Sequence, residues 1–156
     1  MSTENPSQMT PPAQIVVGID GSESSNGALG EAARLSHALN ADLLLVATWQ
    51  DPAGYGYIAP EWSMKSRAQE VLQDAIAKTF GTDLPSRLQS EVLEGPPART
   101  LIKVSSDATM LVVGSRGHGG FAGMLLGSVS AACAEYAHCP VLVYHQRSED
   151  PTETAS

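Results

Sequence analysis

Apolar and polar residues alternate in blocks along this chain, not one by one. Ile15-Val16-Val17-Gly18-Ile19, Leu43-Leu44-Leu45-Val46-Ala47, Met110-Leu111-Val112-Val113 and Val141-Leu142-Val143-Tyr144 are short, almost unbroken apolar runs. Such runs predict strands buried on both faces. Leu88 to Leu93 predicts one more, bounded by Pro85 and by Gly95-Pro96-Pro97. Between the runs the spacing becomes helical. Ala28, Ala32, Leu35 and Leu39 share one face of a helix that Ser22 or Ser24 can cap and Asn40 ends. Ala68, Val71, Leu72, Ala75 and Ile76 predict a second helix from about Glu61, with Gly81 suited to its C-cap. Ala98, Leu101 and Ile102 predict a short third helix with proline in its first turn. Val129, Cys133 and Tyr136 predict a fourth over Ser128 to Ala137. Five strands alternating with four helices make an α/β fold, a parallel sheet sandwiched by helices. Right-handed crossovers restrict it to a doubly wound, Rossmann-like topology.

Composition narrows the class. At 156 residues the chain has the length expected of one domain. Residues 1–13 and 147–156 carry too little apolar surface to offset the entropy of ordering them, so both are expected to be disordered tails around a body spanning 14–146. Residues 50–60 read as a loop. No apolar run approaches the length of a membrane span, and the first 13 residues lack the marks of a signal peptide. The expected compartment is the cytoplasm. Nine Lys and Arg against 17 Asp and Glu give a net charge of −8. That balance argues against nucleic acid and against an anionic membrane as partners. Cys133 and Cys139 form neither a disulfide framework nor a zinc spacing, and read as small buried thiols. His37 and His138 read as structural. Trp49 and Tyr55 border the loop at 50–60, where they either close over a ligand or pack locally.

The candidate chemistry lies where strands end. In open α/β sheets ligands bind beyond the carboxyl ends of the strands. Asp20-Gly21-Ser22 follows the first strand. Residues 114–130 follow the fourth and hold six of the chain's 14 glycines. Glycine main chain can approach an anion closely, and the segment runs into a helix start that favours negative charge. Between Ala108 and Ala134 the one formal charge is Arg116, so this acidic chain keeps carboxylates out of the stretch. Neither a Walker A loop nor the dinucleotide fingerprint is present.

Gly114-x2-Gly117-x9-Gly127-Ser128 resembles the nucleotide motif of the universal stress protein family. Ile-Val-Val-Gly-Ile-Asp-Gly-Ser at 15–22, Val-Val-Gly-Ser-Arg-Gly at 112–117, Leu-Leu-Gly-Ser-Val-Ser at 125–130 and Cys-Pro-Val-Leu-Val at 139–143 resemble it in the same order. The resemblance implies a five-stranded parallel sheet of order 3-2-1-4-5 with adenosine nucleotide, ATP with Mg²⁺, at the first and fourth strand ends. It implies Asp20 beside the nucleotide or its metal, and Gly18 and Ile19 on the same edge. It places Thr48, where the family often has Val or Ala, near adenine and Val113 beneath the base or ribose. Gly114, Gly117, Gly127, Ser128, Val129 and Ser130 would hold phosphates. It also implies a homodimer through the last strand, Pro140 to Tyr144, whose apolar edge needs covering.

Arg116 reads either as a phosphate contact or as a surface residue, and His118 as a phosphate contact or a solvated side chain. Phosphoryl transfer needs positive clamps and a positioned nucleophile. The Gly-rich segment has one arginine, no lysine and no defensible base, so ATP cleavage, if any, should be slow. The leading expectation is a nucleotide-dependent stress or signalling module. The alternatives are an adenylyl-transferring or ATP-pyrophosphate-splitting enzyme, a module for cyclic AMP, and an interaction protein with a vestigial site.

Overall fold

A computed structural model describes residues 12–51, 61–117 and 125–146, with side chains from Met64 onward in the second of these. Residues 1–11 of the first tail, all of the second, Tyr55 and most of the loop at 50–60, and His118 lie outside the described residues. The element order is β1 (Gln14–Gly18), α1 (Glu23–Leu39), β2 (Asp42–Trp49), α2 (Glu61–Phe80), β3 (Leu88–Glu94), α3 (Pro97–Val104), β4 (Met110–Gly114), α4 (Ser128–Tyr136) and β5 (Val141–Tyr144). The strands form one sheet in the order β3-β2-β1-β4-β5, and every pairing is parallel. Val17 lies between Leu45 of β2 and Val112 of β4.

Strand alternation divides the interior into two cores. Ile15, Val17, Leu43, Leu45 and Val112 face α1 and α2, with Leu29, Ala32, Leu72 and Ala75 packed over them. Val16, Leu44, Val46, Leu111 and Val113 face α3 and α4, covered by Leu101 and Cys133. This two-sided burial explains the unbroken apolar runs. The edges of the prediction shift. β2 continues through Thr48 and Trp49, because both still pair with β3 at Leu93 and Glu94. Leu39 and Tyr136 do not join the apolar stripes expected for them and are 49% and 62% exposed. Both end their helices. At 17 residues α1 is about 25 Å long, against about 17 Å for a five-residue strand, so its last turn outruns the sheet. Ala13, predicted as tail, packs against the core beneath α1 and α2 and accepts a hydrogen bond from the Asp42 amide at 2.7 Å.

Candidate functional site

The sheet order reverses between β1 and β4, so the crevice of this fold opens beyond Gly18 and Gly114. On the β1 side the chain makes a compact turn. The Ser22 amide donates to Asp20 Oδ1 at 2.9 Å, and the Asp20 amide donates to Ser25 Oγ at 3.3 Å. Ser22 caps α1 by accepting from the Ser25 amide at 3.1 Å. Ser25 Oγ returns a bond to the Ser22 carbonyl. The turn is thus fixed from both ends, by Ser22, one of the two expected cap candidates, and by Ser25, which was not among them.

The β4 side is built differently. The Gly127 amide donates to the Ser115 carbonyl at 2.7 Å, which folds the Gly-rich segment back on itself. Ser130 Oγ donates to the same carbonyl at 2.9 Å and to the Gly127 carbonyl at 3.1 Å. Gly127 is the N-cap of α4 and provides no side-chain cap; no acidic residue stands in the first turn. The first-turn amides of such a helix have no intrahelical acceptor. α1, by contrast, is capped by Ser22 and carries Glu23.

The two sides touch. Ser22 Oγ reaches the Arg116 carbonyl at 3.4 Å. A Cβ placed on Gly117 would lie 2.5 Å from Asp20 Oδ2, so the carboxylate rests against the bare Gly117 Cα. Asp20, Arg116 and Gly117 are therefore neighbours although the sequence separates them by over ninety positions. Asp20, Arg116, Gly117 and Ser128 are exposed, and Gly127 is half-buried.

The remaining expected site residues divide by what their side chains do. Gly114 is bare because a Cβ there would lie 2.7 Å from the Ser24 carbonyl carbon and 2.8 Å from the Ser25 nitrogen. Gly18 faces Leu101, whose Cδ1 would be 2.8 Å from an added Cβ, and Val113. These two glycines serve close packing. Ile19 and Val113 are 4% and 3% exposed and fill opposite cores, so chiefly their main chain borders the crevice. Val129 packs into the core beneath α3 and α4. The Ser130 hydroxyl, expected to face phosphate, is buried at 2% exposure and committed to carbonyls; only its amide remains for an anion. Thr48, half-buried, shares its sheet face with Val46. Sequence reading missed Ser25 and Ser115, whose roles depend on contacts across the fold. The small residues inside the capping turn and inside Gly114-x2-Gly117 were the available signal.

Among the described residues no group of three His, Cys, Asp or Glu could hold a metal. Mg²⁺ is commonly held by one or two carboxylates plus ligand phosphates, and the exposed Asp20 at the crevice mouth fits that role. A separate groove of about 480 Å³, lined by Leu43, Phe80, His37 and Arg87 among others, lies at the opposite end of the sheet and contains no expected site residue.

Residues 13–145 match the Universal stress protein family. A universal stress protein of Mycobacterium tuberculosis is 36% identical over 132 residues, covering 84% of this chain and 44% of the relative. The chain thus spans about half the length of the curated relatives it matches. UspA of Lactobacillus plantarum has the same fold, with a TM-score of 0.70 at 20% identity, covering 86% of this chain and 99% of that one. A universal stress protein solved in complex with cAMP is 29% identical with a TM-score of 0.57, covering 87% of this chain and 98% of that one. A match that takes in the whole sheet and both halves of the crevice leaves one assignment: this chain belongs to the universal stress protein family.

Proposed function

We propose that the chain is an adenosine-nucleotide-binding stress-response module whose ligand is ATP with Mg²⁺. The observation that carries this reading is the contact of Asp20 Oδ2 with the bare Cα of Gly117. It brings an acidic turn and a glycine-lined helix entrance into one crevice at the switch point. There the phosphates rest on main-chain amides of Gly117, Ser128 and Val129, and on the Ser128 hydroxyl. Asp20 holds the metal through water, and the metal offsets phosphate charge beside a carboxylate. Thr48 and the main chain of Ile19 border the adenosine. With one arginine and no lysine among residues 108–134, transferring phosphate is poorly clamped, so hydrolysis is slow at most. The same poverty of clamps disfavours the adenylyl-transferring and pyrophosphate-splitting alternatives.

The module works as a homodimer in the cytoplasm. Among the described residues no helix is long and apolar enough to cross a membrane. The two sheet edges differ. The β3 edge carries exposed Gln89, Ser90 and Glu91, whereas β5 is Val-Leu-Val-Tyr with no charge. Charge blunts an edge against pairing, and its lack leaves β5 open to a second copy.

A second reading, cyclic AMP as the ligand, draws support from the neighbour solved with it. Isothermal titration of the full chain with ATP, AMP and cyclic AMP, each with and without Mg²⁺, tests both. Tightest binding for Mg²⁺·ATP is the expected result. Preference for cyclic AMP transfers the conclusion to that ligand, and no binding of any at millimolar concentration overturns the nucleotide reading. Turnover at kinase-like rates, about 1–100 per second, would contradict the non-enzymatic part.

A further inference from the structure

We infer that nucleotide occupancy and self-association through β5 are coupled through the main-chain carbonyl of Tyr144, with Ser24 as the positioning residue. The inference rests on the function proposed above and adds its regulation. Tyr144 ends β5, and its carbonyl accepts two hydrogen bonds. One comes from the Ser115 amide at 2.8 Å, the other from Ser24 Oγ at 3.2 Å. Each donor leads directly to one half of the crevice. Ser115, 5% exposed, accepts the Gly127 amide and the Ser130 hydroxyl that set the start of α4. Ser24, 7% exposed, precedes Ser25, which receives the Asp20 amide. The joint has no slack. The Tyr144 ring lies over Gly27, where any Cβ would overlap the ring, and Gly114 packs on the Ser24 and Ser25 backbone.

A ligand held between Asp20 and Gly127 restrains both donors. A second copy paired along β5 restrains the acceptor. Each event removes freedom that the other would have to remove, so the two favour one another, and linkage makes the effect reciprocal. The test is sedimentation equilibrium of the full chain with and without saturating Mg²⁺·ATP. ATP should tighten the dimer about tenfold, a typical coupling strength. Ser24→Ala should reduce that to under about threefold while leaving the fold intact. Ser36→Ala, which removes a hydroxyl bonded to the Ala33 carbonyl at the far end of the same helix, should keep the full effect. Hydrogen exchange gives a second readout, since the Ser115 amide should slow when ATP binds the wild type. An ATP-independent dimer constant, full coupling in Ser24→Ala, or no dimer at any concentration overturns the inference and leaves nucleotide binding standing. Failure to bind ATP strikes the reading beneath it as well.

Discussion

The bare Cα atoms around the crevice separate packing from recognition. At Gly114 an added methyl would meet backbone atoms of Ser24 and Ser25, which cannot step aside. Gly114→Ala should cost about 1–3 kcal/mol, the usual range for overpacking, and lower Tm by roughly 3–10 °C in differential scanning calorimetry. At Gly117 the obstacle is a carboxylate oxygen on a movable side chain. Gly117→Ala should leave Tm within about 2 °C of wild type while pushing Asp20 off its position, and weaken Mg²⁺·ATP binding about tenfold, near 1.4 kcal/mol, by titration calorimetry. Both glycines belong to one motif, and its spacing in the sequence does not distinguish these duties. The difference depends on which residues lie opposite, Ser24 and Ser25 for one and Asp20 for the other, all far away along the chain. Cys133 supplies a third check. Burial first, and the neighbouring Cys139 second, push its thiol from an ordinary 9.0 up to about 11. The unfolded chain therefore loses this proton first as pH rises. The thiol's contribution to stability is complete below pH 9.0 and declines toward about 11. Urea titrations across that range should show a fall that is shallower in Cys133→Ala, and below it Cys139 alone should react with iodoacetamide in the folded protein.

At the scale of elements, strand and helix types were legible because burial on both faces leaves its mark in each strand alone. Their limits were not. Thr48 and Trp49 belong to β2 because Leu93 and Glu94 stand opposite, and the Gly95 amide closes on the Trp49 carbonyl at 2.9 Å. Nothing local at 48–49 announces it. Likewise Leu39 fits the stripe of α1 by spacing and fails it by reach. The sheet order came from resemblance, since periodicity says nothing about which strands are neighbours. β5 yields the prediction of this scale. The Leu111 amide bonds the Pro140 carbonyl and the Ser115 amide bonds that of Tyr144, so residues 140 and 144 turn toward β4. By alternation Val141 and Val143 present their amides and carbonyls at the free edge. Val143→Pro removes an outward donor and spares the ladder to β4. It should abolish dimerisation in sedimentation velocity with an unchanged far-UV circular dichroism spectrum. A dimer that survives it uses another surface.

For the whole molecule the question is how a chain of net charge −8 takes up a polyanion. Two arrangements are conceivable, and ionic strength separates them. A clamp of charged side chains draws affinity from Coulomb attraction and loses it as salt shortens the Debye length from about 30 Å at 0.01 M to about 10 Å at 0.1 M. Main-chain amides act at contact distance, so salt hardly touches them. What salt does reach is the long-range repulsion between an acidic protein and ATP. The sequence already pointed to the second arrangement through the lack of lysine around Arg116, and the uncapped first turn of α4 agrees with it. Arg116 itself is exposed, and its described contact is made by its carbonyl, to Ser22. Raising KCl from about 0.02 to 0.2 M at fixed free Mg²⁺ should therefore leave the ATP Kd within about threefold, shifted toward tighter binding. Arg116→Ala should weaken binding by no more than about threefold, as for an exposed charge pair worth under 1 kcal/mol. A tenfold loss in either experiment would mean that charge grips the phosphates, and that the glycines serve only to fold the loop.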